Sequence, residues 1–326
     1  MTFTCSANTV TGYVWGIRSM DESLHYKSDG YAVDRIHTIP ADAVFSPDGR
    51  SMSCNLTPGH YSVKVKTNFR EYTGTVAFQG KVVRDYSWTF YADNNPTDFD
   101  VTLDFDYGEC LPGIEYDGKR RLSNTDETYD LIRVFSAPSE ITDRLESRLR
   151  DAYASKWGPP AENDGRYAQF ILTFVQCAFS YPPNQTEKNI LINADEFVYG
   201  TKEYWAFPSE VIMQGQGDCE DTSFLCSALF KAAGYDTAVV FLPTHAMSGV
   251  AVSGILPLSD GNSYVVKQTV AGITYYGCET TTEGQYPIGY TALTYFDSDR
   301  TKRPLTYELE PEISSVPTDD LGFFPI

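Results

Sequence analysis

The residue best placed for chemistry in this chain is Cys219, which stands where a glycine-rich, acidic turn leads into an amphipathic helix. The surrounding stretch is Gly215-Gln216-Gly217-Asp218-Cys219-Glu220-Asp221-Thr222-Ser223. The first turn of a helix carries N–H groups without intrahelical partners and the positive end of the helix dipole, and both favour a thiolate. The same N–H groups can receive the oxyanion of an acyl-transfer intermediate. Cys219 is therefore a candidate nucleophile if a base lies within reach.

The candidate base is His245, the one histidine in the second half of the sequence. It follows Cys219 by 245 − 219 = 26 residues and opens a predicted strand. A helix followed by an adjacent strand can bring two such side chains together. A lone histidine is more often a structural polar residue, but its pairing with a cysteine at a helix start favours a catalytic role.

A cysteine–histidine pair also needs a third group that holds the imidazole in the right tautomer, and two acids are candidates. Asp260 lies in Leu258-Ser259-Asp260-Gly261-Asn262, where hairpin-turn chemistry accounts for it. Glu279 instead interrupts an apolar, aromatic strand, Tyr275-Tyr276-Gly277-Cys278-Glu279-Thr280-Thr281. A carboxylate at such a position needs a partner, so we favour Glu279 over Asp260.

The elements that position these residues change character along the chain. Short alternating runs bounded by turn residues occupy residues 1 to about 115 and predict a small β-sandwich. A polar, basic stretch through Lys119-Arg120-Arg121 indicates a junction. We therefore predict an accessory β-sandwich-like domain over residues 1–118 and a catalytic domain over residues 119–326.

The second half combines helices with a sheet. Helical periodicity covers residues 136–155 and 164–180, and the Cys219 helix extends to Ala233. The second of these helices carries a stripe predicted to be buried, which includes Cys177. Several strands follow between residues 237 and 281, so the predicted fold class is α+β, with helices followed by an antiparallel sheet.

The composition excludes some classes of partner. The net charge is −19, from 25 Lys and Arg against 44 Asp and Glu, so nucleic acid and anionic membranes are poor partners. The sequence contains no run of about 18 apolar residues, so no segment is predicted to span a membrane. The seven cysteines form no C-x-x-C pair, and the four histidines are scattered, which argues against a structural zinc site.

The start of the chain lacks the basic and apolar regions of a signal peptide. We expect an extracellular, cell-surface or periplasm-like location if an export segment has been removed, and a cytoplasmic one otherwise. The oligomeric state stays open.

The sequence resembles the transglutaminase-like cysteine peptidases of archaea and bacteria over roughly residues 130 to 295. The residues that carry the resemblance are Glu203-Tyr204-Trp205-Ala206-Phe207-Pro208-Ser209-Glu210, Gly215 to Ser223, Leu225, Leu229, Gly234-Tyr235, His245-Ala246-Met247 and Glu279-Thr280-Thr281. The order of cysteine, histidine and acid is that of the family.

The resemblance implies a papain-like catalytic core with Cys219 as nucleophile, His245 as base and Glu279 as orienting acid. Many relatives have aspartate in the third place. The backbone N–H of Cys219 would line the oxyanion hole. A side-chain donor is expected from the segment just upstream, where Gln214, Gln216 and Trp205 are the candidates.

Two acids, Asp218 and Glu220, flank the nucleophile and have two explanations. Asp218 and Asp221 have the spacing of a helix N-cap and the third helical residue. In the calcium-dependent, adhesin-cleaving branch of bacterial relatives, however, acids flanking the cysteine bind Ca²⁺. No cofactor is expected to be required, and Ca²⁺ at Asp218 and Glu220 is the one metal candidate.

The predicted function is hydrolysis of a peptide or amide bond through a thioester acyl-enzyme, with a protein or peptide as substrate. One alternative is a transglutaminase that cross-links glutamine to lysine. The other is a non-catalytic surface-binding protein built on an inactive scaffold of the same fold.

Overall fold

The structure is a computed structural model of the 326-residue chain. It describes residues 1–6, 12–20, 37–92, 95–120, 125–182, 185–187, 190–192, 194–199, 201, 203–242, 245–253, 266–282, 284–289, 294–296, 302–304 and 322–326.

The described residues form strands, helices and one 3₁₀ turn at Tyr107–Cys110. The strands are β1 (Thr2–Thr4), β2 (Val14–Ser19), β3 (Val44–Phe45), β4 (Ser51–Ser53), β5 (Gly59–Lys66), β6 (Glu71–Phe78), β7 (Lys81–Ala92), β8 (Asn95–Asp106), β9 (Gln185–Glu187), β10 (Ile190–Ile192), β11 (Thr237–Leu242), β12 (His245–Val250), β13 (Lys267–Val270), β14 (Ile273–Cys278), β15 (Thr294–Phe296), β16 (Lys302–Pro304) and β17 (Gly322–Pro325). The helices are α1 (Leu111–Ile114), α2 (Thr125–Phe135), α3 (Glu140–Trp157), α4 (Gly165–Ala178), α5 (Ala194–Val198), α6 (Pro208–Gln214) and α7 (Cys219–Ala232).

The chain divides into two compact units that are discontinuous in sequence. The first unit comprises Met1–Val82, Asp104–Leu111 and Pro183–Lys202, and the second comprises Val83–Leu103, Pro112–Pro182 and Glu203–Ile326.

The first unit contains two three-stranded antiparallel sheets, ordered β1-β4-β3 and β2-β5-β6. Side chains from both sheets share one hydrophobic cluster, which includes Trp15, Met52 and Tyr61. The alternation read from the sequence therefore does bury one face of these strands. That the unit is a β-sandwich domain stays a prediction.

The second unit is built around a five-stranded antiparallel sheet in the order β13-β14-β12-β11-β17. Helix α7 packs against β12 and β11 on the sheet, and against α3, α4 and α6. Helices combined with an antiparallel sheet confirm the predicted α+β class. The papain-like, transglutaminase-type core stays a prediction.

The bounds and the buried face of helix α4 confirm most of what the sequence predicted for it. Asp164 caps its start, because its side chain accepts the backbone N–H groups of Arg166 and Tyr167. Its apolar stripe is buried as expected. The expectation for Cys177 was wrong, since this thiol is exposed. None of the helices in the described ranges is both long and apolar enough to cross a bilayer.

The hairpin of β7 and β8 contributes aromatic side chains to the core of the second unit. The ring of Trp88 lies 5.3 Å from that of Phe170 and 5.1 Å from that of Phe174, and Phe99 lies 4.8 Å from Phe170. Edge-on and tilted ring pairs at such distances are favourable packing arrangements. The predicted division into an accessory domain of residues 1–118 and a catalytic domain of residues 119–326 stays a prediction.

Candidate active site

Two glycines shape the turn that precedes α7. Gly215 ends α6 with a φ of 70°, in the left-handed region that glycine adopts without steric cost. A Cβ on Gly217 would stand 2.7 Å from Cβ of Asp221, so this close approach requires glycine. Helix α7 then begins at Cys219, which confirms the predicted helix start. Cys219 thus belongs to the turn whose N–H groups lack intrahelical partners.

Buried acids hold the segment upstream of α6. Oδ1 of Asp221 accepts the backbone N–H of Ala206 at 2.7 Å. Glu210 accepts the backbone N–H of Phe207 at 2.9 Å and a guanidinium N–H of Arg120 at 2.9 Å. The Arg120 and Glu210 side chains are only 11% and 4% exposed, so this ion pair lies within the core. Asp221 therefore acts structurally, by tying the start of α7 to the upstream segment.

His245 and Glu279 meet at one end of the sheet. His245 is the first residue of β12, and Glu279 directly follows the last residue of β14, the strand paired with β12. Nε2 of His245 lies 2.9 Å from Oε2 of Glu279. Since an ionised carboxylate only accepts hydrogen bonds, Nε2 carries the hydrogen of this contact, which leaves Nδ1 as the other ring nitrogen. The alternative acid, Asp260, lies outside the described residues.

Glu279 is held in its ionised form although it is 1% exposed. Burial raises its pKa, but hydrogen bonds from His245 and Thr281 outweigh burial, and the net pKa lies below the ordinary value. Oε1 accepts the backbone N–H of Thr281 at 2.9 Å and the Thr281 hydroxyl at 2.7 Å. The carboxylate is therefore available as a hydrogen-bond acceptor for the imidazole.

The sulfur of Cys219 lies beside the start of β12. The backbone N–H of Ala246, the residue after His245, is close enough to the sulfur to favour its ionised form. The thiol itself donates a hydrogen bond to Oε2 of Glu220 at 2.8 Å. The Cys219 sulfur thus lies beside Ala246, the residue that follows the His245 of the His245–Glu279 pair.

Acidic neighbours oppose ionisation of the thiol. Burial raises the pKa of Cys219 well above its ordinary value, and the charges of Glu220 and Asp218 raise it further. Burial also raises the pKa of Asp218 well above the usual range, with the charges of Asp221 and Glu220 as further causes. The thiol is accordingly in its neutral form, and attack on a carbonyl requires a base.

Asp218 occupies the N-cap position of α7 without capping it. Its side chain makes no cap hydrogen bond, and Oδ1 is buried without a hydrogen-bond partner. The cap hydrogen bond expected from the sequence is thus not formed at normal hydrogen-bond geometry, although the backbone N–H of Asp221 is near enough to the carboxyl to lower its pKa against the effect of burial.

The calcium explanation depends on the donor set. Ligand atoms of Asp218, Cys219 and Glu220 all lie within 4.8 Å of one another. The orphaned oxygen of Asp218 and the carboxylate of Glu220 are of the chemical kind that Ca²⁺ prefers, but Ca²⁺ takes six to eight oxygen ligands. The two carboxylates are therefore suitable Ca²⁺ ligands, but they are too few to complete its coordination shell.

The three candidate oxyanion donors occupy different settings. Trp205 is 2% exposed and packs against Phe224 and Phe241, with ring centroids 5.0 and 5.6 Å away. Gln214 is the last residue of α6, and Gln216 forms a parallel bridge with Ser180. These placements do not select one of the three, and the side-chain donor stays a prediction.

Sequence reasoning missed two buried polar side chains that contact the site. The hydroxyl of Thr280 lies 2.9 Å from that of Thr222 and 3.3 Å from that of Ser223, both in the first turns of α7. The side-chain amide of Gln176, on α4, donates to the backbone carbonyl of Glu279 at 2.7 Å. An amide within an otherwise apolar helical stripe was a signal for Gln176, because a buried amide needs partners.

Comparisons with known proteins are sparse. No family model matches the chain, and no curated protein matches it. One similar solved structure is a “putative protease” from Parabacteroides distasonis, 11% identical over 87% of this chain, with a TM-score of 0.29. Another is a “putative cysteine protease” from Cytophaga hutchinsonii, 14% identical over 76% of this chain and 86% of its own, with a TM-score of 0.26.

This chain spans 65% of the length of the Parabacteroides protein. Structural likenesses with such low TM-scores do not show a shared function. The family resemblance read from the sequence therefore stays a prediction.

Proposed function

We propose that this protein is a cysteine hydrolase that cleaves a peptide or amide bond, with Cys219 as nucleophile, His245 as base and Glu279 as orienting acid. The observation that carries the proposal is the buried hydrogen bond of 2.9 Å between His245 and Glu279, beside the helix start that bears Cys219. A histidine held by an acid next to a cysteine at a helix N-terminus is the arrangement that thiol acyl transfer requires.

The proposed reaction begins with transfer of the Cys219 thiol proton to Nδ1 of His245, the ring nitrogen that Glu279 leaves free. The sulfur attacks the substrate carbonyl carbon, and the resulting oxyanion accepts the backbone N–H of Cys219. The carbon–nitrogen bond then breaks, and the leaving amine takes the proton from the imidazolium. This gives a thioester on Cys219.

Water completes the proposed cycle. His245 takes a proton from the water as it attacks the thioester, and the thiol leaves with that proton while the carboxylic acid is released. We favour water over an amine as acceptor because the resemblance read from the sequence is to peptidases. A protein or peptide is the proposed substrate.

The proposal includes a Ca²⁺ ion bound by the acids that flank Cys219. Asp218 and Glu220 would contribute carboxylate oxygens to a bound Ca²⁺, whose charge would offset theirs beside the thiol. The orphaned Oδ1 of Asp218 supports this assignment. The proposal predicts that Cys219 is more reactive with Ca²⁺ than with a chelator at the same pH.

A peptide library prepared from a whole proteome, incubated with the protein and a labelled primary amine, tests the proposed function. Mass spectrometry distinguishes new cleavage products from amine-modified glutamine. Cleavage that Cys219→Ala abolishes supports hydrolysis. Stable amine incorporation would instead identify a transglutaminase, and neither product, with or without Ca²⁺, would identify a non-catalytic scaffold.

A further inference from the structure

The position of Glu279 raises the question of what holds it in place. The ladder between β12 and β14 ends at the pair of Ser248 with Cys278, so Glu279 lies one residue beyond the regular sheet. Its side chain must nevertheless keep Oε2 within 2.9 Å of His245. A residue just past a strand end needs other bonds to fix its backbone.

Gln176 supplies such bonds from α4. Its Nε2 donates to the backbone carbonyl of Glu279 at 2.7 Å and to the carbonyl of Tyr286 at 3.1 Å. Its Oε1 accepts the backbone N–H of Tyr286 at 2.9 Å. Both amide donors are thus used, and the Tyr286 N–H fixes which end of the amide is oxygen, because that group can only donate.

The Gln176 side chain is 2% exposed, so water does not compete for these bonds. An amide buried at this depth is costly unless it is satisfied, and here it bridges two points of the chain that follows β14.

We infer that Gln176 is a positioning residue for the proposed catalytic group: it holds the Glu279 backbone so that the carboxylate meets Nε2 of His245. Gln176 does not touch the reacting atoms and acts through Glu279. The inference rests on the proposed function only for its catalytic consequence. The effect on His245 follows from the geometry alone.

Gln169 provides a matched control on the same helix. It lies seven residues before Gln176, and its amide also bonds the chain after β14, donating to the carbonyl of Tyr286 at 2.9 Å and accepting the N–H of Ile288 at 2.8 Å. These bonds go to Tyr286 and Ile288, whereas Gln176 is the residue that bonds the Glu279 carbonyl. Gln169 is half-buried, so Gln169→Met removes a similarly bonded amide of the same helix without releasing Glu279.

The test compares Gln176→Met with Gln169→Met in the full chain by two measurements. Long-range ¹H–¹⁵N correlation spectra report the tautomer of His245, with its signals assigned by their loss in His245→Asn. Site-resolved mass spectrometry reports the rate at which iodoacetamide alkylates Cys219 at pH 7, relative to the exposed Cys177.

We expect the Nε2–H tautomer in the wild type and in Gln169→Met, and a mixture of tautomers in Gln176→Met. The relative alkylation rate of Cys219 should fall roughly tenfold in Gln176→Met alone, because misplacement of a catalytic group costs rate steeply. If Gln176→Met does not fold, Gln176→Asn takes its place, since its shorter amide cannot span both segments.

The inference is overturned if the tautomer and the Cys219 rate are the same in both methionine variants. A wild-type Cys219 that reacts no faster than Cys177 contradicts the proposed function instead. In that case the His245 tautomer alone decides whether Gln176 positions Glu279.

Discussion

At the scale of single residues, neighbouring groups have opposite effects on the ionisation of the Cys219 thiol. The helix start and the Ala246 N–H favour a thiolate on Cys219, whereas burial and the carboxylates of Glu220 and Asp218 favour the neutral form. The thiol donates its hydrogen bond to Glu220. In this account, His245 must therefore act as a base during attack.

Glu220→Gln should make Cys219 more acidic. The change removes one negative charge beside the sulfur, so the thiolate becomes easier to form and the midpoint of the alkylation pH profile moves to lower pH. Glu140→Gln, which neutralises an exposed acid in the first turn of α3, should leave the profile unchanged. An unchanged or higher midpoint in Glu220→Gln would contradict the assigned influence of Glu220.

Asp218→Asn should stabilise the protein at neutral pH. The folded state raises the pKa of Asp218, so it binds the proton more tightly than the unfolded chain, and stability is lost as pH rises above the unfolded value of about 3.9. Asparagine does not ionise, so the variant avoids that loss. Its free energy of unfolding at neutral pH should be higher by on the order of 1 kcal/mol, or roughly 2–4 °C in Tm.

Calorimetry in the presence of EGTA checks this prediction, and the gain should disappear at about pH 3, below the unfolded pKa of an aspartate. The exposed acid Asp143 provides a control, through Asp143→Asn. A lower Tm for Asp218→Asn at pH 7 would show that its carboxylate is stabilising.

The sequence alone named Cys219, His245 and Glu279, because a thiol at a helix start and a carboxylate in an apolar segment are unusual enough to need an explanation. It did not reveal Gln176 or the bond from the thiol to Glu220. Those depend on which atoms face one another after packing, and periodicity does not record that.

At the scale of elements, three hydroxyls join the start of α7 to the chain just past β14. Thr280 contacts Thr222 and Ser223, which in turn donate to the carbonyls of Asp218 and Cys219 at 2.7 and 2.5 Å. This buried network sets the spacing between the helix that bears the nucleophile and the segment that bears Glu279.

Thr280→Val should destabilise the protein by about 1–2 kcal/mol, because it leaves buried hydroxyl groups on α7 with fewer partners. It should also slow alkylation of Cys219. Thr274→Val is the matched control, since its hydroxyl pairs with Thr269 at an exposed position of the same sheet and its loss should cost less than about 0.5 kcal/mol. Equal destabilisation of the two variants in urea unfolding would refute the network.

The elements themselves were largely predictable, since helical periodicity located α3, α4 and α7 within a few residues. The extent of β14 was not predictable: Glu279 was expected within the strand and lies just beyond it. Cys177 was placed on a buried stripe and is exposed, because the pattern fixes a broad face and not its edges.

At the scale of the whole molecule, the two compact units do not follow the order of the sequence. The alternating pattern of β7 and β8 correctly indicated one buried face. It did not indicate that this face packs on α4, since a strand's pattern does not name its partner. The hairpin therefore belongs to the core that supports the candidate site.

Trp88→Ala should destabilise the helical second unit by about 3–5 kcal/mol, because Trp88 fills space against α4. Val83→Ala, at a 54% exposed position of the same strand, is the control and should be nearly neutral. Circular dichroism at 222 nm monitors thermal unfolding of the helices. An unchanged helical transition in Trp88→Ala would mean that the hairpin belongs energetically to the first unit.

The most direct test of the central claim is the alkylation rate of Cys219 at pH 7, relative to the exposed Cys177, in the wild type and in His245→Asn. The account predicts that Cys219 reacts at least about tenfold faster than Cys177 in the wild type, because a positioned base assists loss of its proton. In His245→Asn, Cys219 should become slower than Cys177, since burial and the flanking carboxylates then outweigh the helix start and the Ala246 N–H. A wild-type Cys219 no faster than Cys177, or a rate that does not depend on His245, would contradict the account.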